Sequence, residues 1–174
     1  MLQFTGLFMR FFPKLYDHYD CTLEDVCAIS PFCVPPYRDL PLASFTLNVG
    51  SKSVCFPHVD STNSVLGTCL VSPAGTYDHT RGGHLIIHDW KAVIELPPGS
   101  IILFPSAIVT HENVGIQHHE ERRAITGFTS ASFFQWVNNG FSPMPHMDDK
   151  ERVAYGQAEW EKAKKRLSRI YSFL

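Results

Sequence analysis

Between residues 43 and 129 the chain is chopped into short runs of β-forming residues, and no run is long enough to be a helix of ordinary length. Residues 44–49, 54–58, 68–72, 83–88, 93–96, 101–104 and 122–129 each read as a strand. Pro57, Gly75, Gly82-Gly83, Pro97-Pro98-Gly99 and Pro105 punctuate them. So many short strands in so little chain leave no room for crossover helices, which excludes a parallel α/β sheet and predicts a sandwich or jelly roll. The 174 residues suffice for one domain with a proper core. The expectation is therefore a single mainly β domain over 1–174, with a β core at about 43–130 and helical cover from 1–40 and 147–172.

The flanks have a different texture. Thr22 is placed to cap a short helix around 22–28, and four prolines in 31–41 prevent regular structure there. Asp148-Asp149 can start a C-terminal helix in which Val153, Trp160 and Leu167 recur every seven residues. Lys162, Lys164, Lys165, Arg166 and Arg169 crowd its end, where cations suit the helix dipole. Net charge is -2, so attraction to nucleic acid requires a local patch such as this one. The five cysteines form no C-x-x-C pair, which points to free thiols in a reducing compartment. No apolar run approaches a membrane span, and the apolar N-terminus carries Arg10 and Pro13 in place of a signal-peptide pattern. A nuclear or cytoplasmic location is expected.

Chemistry concentrates in Pro57-His58-Val59-Asp60. In an extended segment residues two apart point the same way, so His58 and Asp60 converge on one face. Two groups hold a metal weakly; His111, beyond the strand at 101–104, is placed to supply a third. Two histidines and a carboxylate leave three sites open on an octahedral ion, the arrangement of non-haem Fe(II) oxygenases. Two of those sites can chelate the keto-acid end of 2-oxoglutarate and the third can take O₂. The far carboxylate of 2-oxoglutarate then needs a cation, which the planar fork of an arginine supplies best. Arg122 and Arg123 lie on opposite faces of one strand, so only one can serve, and the strand's own pattern leaves either possible.

The ordered segments N-V-G (48–50), P-H-V-D (57–60), G-G-H-L (82–85), P-P-G-S-I-I-L-F-P-S (97–106), H-E-N (111–113) and E-R-R-A-I-T (121–126) resemble the 2-oxoglutarate/Fe(II) dioxygenase superfamily. The likeness covers 44–130, and its later part is similar to the prolyl-4-hydroxylase branch. Through F-F-Q-W-V-N-N-G-F (133–141) the wording is most similar to TET/JBP-like oxygenases of mushroom-forming fungi. The resemblance implies a double-stranded β-helix with flanking helices, and Fe(II) held by His58, Asp60 and His111. It implies Arg122 as the 2-oxoglutarate anchor, with Asn48 and Asn113 as polar contacts to that co-substrate. The reaction implied is oxidative decarboxylation of 2-oxoglutarate to succinate coupled to hydroxylation of a C–H bond. A methylated nucleobase in DNA is the implied substrate, reached through the basic C-terminal helix after base flipping. Relatives acting on DNA carry larger insertions and flanking DNA-binding parts that these residues do not match. The rivals are a prolyl or small-metabolite hydroxylase on the same scaffold, and an inactive jelly-roll binding protein.

Other features have plainer readings. His84 and His88 share a strand face with no carboxylate on it, and His118-His119 with Glu120-Glu121 reads as a solvated hairpin tip. Gly82-Gly83 suits a bulge or a close approach of backbones. Phe133, Phe134 and Trp136 read as core under the C-terminal helix rather than as a base-stacking platform.

Overall fold

The computed structural model describes residues 2–166 apart from 31, 36 and 38, with side chains described from Thr5 onward. The chain divides into two compact units. One is Ala43–Thr129, and the other is made of Met1–Leu42 with Ser130–Leu174.

The first unit holds all seven strands: β1 (Ser44–Asn48), β2 (Cys69–Thr76), β3 (Leu85–Ile87), β4 (Ala92–Ile94), β5 (Ile102–Phe104), β6 (His111–Asn113) and β7 (Glu121–Phe128). They form a four-stranded sheet in the order β1-β7-β2-β5 and a three-stranded sheet in the order β4-β3-β6, and every pairing is antiparallel. An antiparallel bridge from His58 to His111 extends the second sheet beyond β6. With that bridge counted, the chain alternates between sheets in the manner of a jelly roll. It visits the first sheet at β1, the second at His58, the first at β2, the second at β3 and β4, the first at β5, the second at β6 and the first at β7.

Cys69, Leu85, Ile87, Leu96, Phe104 and Val109 are buried together, and Val71, Ile94, Ile102 and Phe128 pack against them. The apolar residues of β3 are Leu85 and Ile87 inward, with Ile86 between them only half-buried. Burying such residues contributes about 1.5–3 kcal/mol each for a Leu, Ile or Phe, which offsets the ordering of very short strands. The strands at 44–49, 68–72, 83–88, 93–96, 101–104 and 122–129 appear with shifted ends. The segment expected at 54–58 contributes only the bridge at His58, and a further bridge lies just before it at Lys52. β6, unmarked in the sequence, is a strand because β3 offers it partners at Leu85, Ile86 and Ile87.

The second unit contains α1 (Leu2–Phe11), α2 (Pro13–Ile29), α3 (Ala131–Asn138) and α4 (Asp149–Lys164). The short helix expected at 22–28 is in fact the last part of α2, which Pro13 opens at a position where its missing N–H costs nothing. Thr22 is therefore not a cap. It lies mid-helix, buried, and its hydroxyl donates to the His18 carbonyl one turn back, at 2.6 Å. The proline-containing stretch shows neither helix nor strand in its described residues.

Phe8 is fully buried and meets Phe12, Tyr16 and Tyr19 edge-on. Phe134 of α3 stacks on His18 and meets Tyr19, both at 4.8 Å between centroids. Thus Phe134 is core, whereas Phe133 and Trp136 are only half-buried, and all three lie in a helix of their own that Ser130 caps by accepting from the Phe133 N–H. Asp148 caps α4 in a reciprocal pair with Glu151, as the acidic pair at 148–149 promised. None of the described side chains of α4 is buried, and Val153 and Trp160 of the sevenfold stripe are exposed. Leu167 and Arg169 lie outside the described residues, as does the rest of the cover expected up to 172. No described helix is long and apolar enough to cross a membrane.

Candidate metal centre

His111 enters the site from β6, buried, while His58 and Asp60 come from the segment bonded along its edge. His58 and His111 exchange both backbone hydrogen bonds, at 3.0 and 2.9 Å. That register puts the two imidazoles side by side, 4.3 Å between ring centroids. Asp60 follows two residues on, its N–H donating to the Ser106 carbonyl at 2.9 Å. Ligand atoms of His58, Asp60 and His111 all lie within 4.8 Å of one another. Donors at right angles on one ion sit about 3 Å apart, so small side-chain rotations bring these onto a common centre.

Hydrogen bonding prepares each donor. The Nδ1 of His58 lies 2.7 Å from the Phe56 carbonyl, and the Nδ1 of His111 lies 3.0 Å from the Val109 carbonyl. A carbonyl only accepts, so each ring carries its proton on Nδ1 and leaves the Nε2 lone pair free for a cation. Burial holds the His111 pKa below its ordinary value, against the raising effect of the Val109 carbonyl, which keeps the ring neutral at pH 7. The Phe104 ring packs edge-on against His111 and fixes its plane.

The carboxylate is oriented in the same way. Asn63 Nδ2 donates to Asp60 Oδ2 at 3.2 Å and contacts Ser106 Oγ at 3.3 Å, while Asp60 Oδ1 faces His58 Nε2 at 3.5 Å. Asn63 and Ser106 are both buried. Neither was singled out in the sequence; the only available signal was an amide three residues after a candidate ligand, in D-S-T-N (60–63). Burial pushes the thiol of the adjacent Cys69 up to about 12, so it is no thiolate rival for the ion.

His58, Asp60, Asn63, Cys69 and His111 line one cavity of about 290 Å³, whose wall also includes Asn48, Asn113 and Arg122. Arg122 is only 3% exposed, whereas the side chain of Arg123 is 45% exposed and pairs with Glu121 at 2.8 Å. The alternation of β7 thus sends Arg122 inward and Arg123 out. Three glycines permit close approaches around it. Gly75, opposite Arg122 in the register, has φ +125°, and a Cβ there would lie 2.2 Å from the Glu121 carbonyl oxygen. Gly83, at φ +74°, lies against the Tyr77 ring and the Arg122 stem, and a Cβ on Gly82 would run into the Gly115 carbonyl. The glycine pair therefore serves a close approach of backbone, as expected.

Arg122 donates from Nη1 to the Ser53 carbonyl at 3.1 Å, but its buried Nε–H has no hydrogen-bond partner. No carboxylate among the described residues pairs with it. A buried guanidinium without a counter-charge is costly, and this one lines the cavity. The amide of Asn113 is engaged by backbone: Oδ1 accepts from Cys55 N–H at 2.8 Å and Nδ2 donates to the Ser53 carbonyl at 3.1 Å. It holds the 53–55 segment against β6. Asn48, half-buried at the end of β1, lines the cavity directly.

Two expectations change. His88 does meet a carboxylate, Glu112 at 2.9 Å, because β6 lies beside β3 and brings Glu112 opposite Ile86. Glu120 is buried rather than solvated, and accepts from the backbone N–H groups of Asp78 and Gln117. The basic run at the end of α4 is partly neutralised, since Lys162 and Lys164 each reach a glutamate of the same helix at 2.7 Å.

No family model and no curated protein matches the chain. Among solved structures it is similar to NgTET1 in complex with 5mC DNA, at 20% identity and a TM-score of 0.42, over 50% of this chain and 33% of that one. The chain thus spans about a third of that protein's length. It is also similar to the collagen prolyl hydroxylase vCPH of Paramecium Bursaria Chlorella virus-1, solved with 2OG, at 11% identity and a TM-score of 0.37, over 67% of this chain and 73% of that one.

Proposed function

We propose that the chain is a 2-oxoglutarate-dependent Fe(II) dioxygenase whose co-substrate lies between the His58, Asp60, His111 cluster and Arg122. The observation that carries this reading is the coexistence, in one cavity, of three converging metal donors and a buried cation lacking a counter-charge. Either feature alone has an ordinary explanation. Together they fit a ligand with a metal-chelating end and a free carboxylate, which is the chemistry of 2-oxoglutarate.

In this reading His58 and His111 bind through Nε2 and Asp60 through Oδ1, with Oδ2 tied to Asn63. Bound Fe(II) supplies activation of O₂ against the keto acid, with succinate and CO₂ as co-products. Arg122 receives the far carboxylate, its Nε–H gaining the acceptor it lacks. The His58 side of the cluster is the exposed one, so the molecule to be oxidised approaches from there. For that substrate we take the 5-methylpyrimidine base implied by the sequence resemblance, within the TET/JBP-like group.

The decisive experiment measures succinate formed from 2-oxoglutarate with Fe(II) and O₂, alone and with methylated DNA, a proline-containing peptide or small metabolites. Stimulation by methylated DNA with appearance of the oxidised base supports the whole reading. Stimulation by peptide alone moves the substrate to the prolyl-hydroxylase class. No succinate and no metal binding under any condition overturns the enzyme assignment.

A further inference from the structure

Cys27 and Cys33 stand outside the site just described, in the helical unit, and their sulfurs are 3.4 Å apart. Cys27 lies in the last turn of α2, which stops at Ile29. Ser30 follows in extended conformation, and the Cys33 N–H donates back to the Ser30 carbonyl at 3.0 Å. That turn folds the chain back so that Cys33 returns beside the helix end. Both residues are half-buried and free. The sulfurs are in van der Waals contact, the juxtaposition from which an S–S bond can close.

We propose that Cys27 and Cys33 form a reversible dithiol–disulfide pair that an exogenous peroxide or low-molecular-weight disulfide oxidises. Burial, with the neighbouring thiol of Cys33, pushes the Cys27 thiol up to about 11. With hydrogen peroxide, one sulfur of the pair attacks an oxygen as its thiolate and the O–O bond breaks. The product is a sulfenic acid, and the departing hydroxide takes up a proton to become water. The other sulfur then displaces hydroxide from that sulfenic acid, forming the S–S bond and, with its own thiol proton, a second water. Two thiols and one peroxide thus give one disulfide and two waters. The bond ties the segment after Ile29 to α2, and thiol reductants reverse it.

The remaining cysteines are the internal controls. Cys21 is exposed on α2, Cys55 is exposed in the β unit and Cys69 is buried. The test treats the reduced full chain with graded hydrogen peroxide or oxidised glutathione, blocks free thiols with an alkylating reagent, and reads intact mass with chymotryptic peptide mapping. Wild type is expected to lose two alkylatable thiols, joining peptides with Cys27 and Cys33, and to regain both with reductant. Cys33→Ser and Cys27→Ser are each expected to abolish the link, while Cys21→Ser keeps it. The shift in thermal midpoint between reduced and oxidised wild type is expected to be upward by about 5 °C, because the bond removes freedom from the unfolded chain. Five thiols still alkylatable after oxidation overturn the proposal. So does a disulfide that survives in both single variants, or one that joins Cys21 to either partner.

Discussion

In the β unit the residues that meet are distant in the chain: Asn48 faces Ala124, Ser53 accepts from Arg122, and His58 is bonded to His111. In the helical unit many contacts are local. Phe8 meets Phe12, Thr22 reaches His18, and Lys162 and Lys164 reach glutamates less than a turn away. The β unit can therefore bring a few polar side chains to a point that no single segment specifies. Most of the aromatic packing of the helices fixes shape without converging donors. Site chemistry follows register, whereas the helical unit is held mainly by burial.

The largest expected effect tests the register side of that contrast. His111→Ala should abolish metal binding and succinate formation while leaving the far-ultraviolet circular dichroism in place. Retained binding of a probe ion such as Co(II) with full affinity would show that the donors lie elsewhere. On the packing side, Phe134→Ala removes a buried ring from His18 and Tyr19 and should cost about 3–5 kcal/mol in urea unfolding. If the two units are as different as their contacts, metal affinity of the folded fraction should not change.

Arg122→Lys keeps the charge but loses the planar fork, and KM for 2-oxoglutarate should rise by roughly 10- to 100-fold. Arg123→Ala, on the outer face, should leave it unchanged; the reverse result would invert the assignment of the two faces. Asn63→Ala frees Asp60 Oδ2 and should weaken metal binding by about 10-fold or somewhat more, measured by titration with Co(II).

The smallest effect concerns pH. Burial lowers the His18 pKa from 6.5 to about 4, with Arg166 adding to the shift and Glu159 opposing it. In the unfolded chain this ring takes up its proton near pH 6.5, and in the folded chain only near 4. Its contribution to stability is thus complete above pH 6.5 and falls as pH drops from there to about 4. His18→Phe preserves a ring against Phe134 and carries no proton, so the decline in thermal midpoint over that window should become shallower. An unchanged slope would mean that other groups carry the acid sensitivity.

How legible these features were depends on whether their cause was local. His58 and Asp60 were readable as a pair because strand alternation is a property of the backbone. Helix α3 was missed because its eight residues are too few to show a period against strand-forming phenylalanines. β6 was missed because three residues become a strand only when Leu85–Ile87 lies beside them. Asn113 lines the cavity, and its amide also grips the backbone of Ser53 and Cys55, neighbours that local pattern cannot supply.

By itself the sequence determined the mainly β class, the alternation that separates Arg122 from Arg123, and the residue types able to hold a metal. All of these follow from the two-residue period of extended chain and from the donor atoms each side chain carries. Only the tertiary structure decided which arginine is buried, that His88 finds Glu112, that Asn63 and Ser106 steady Asp60, and that Cys27 meets Cys33. Each of those is a choice of neighbour, set by the packing of segments whose sequences do not record one another.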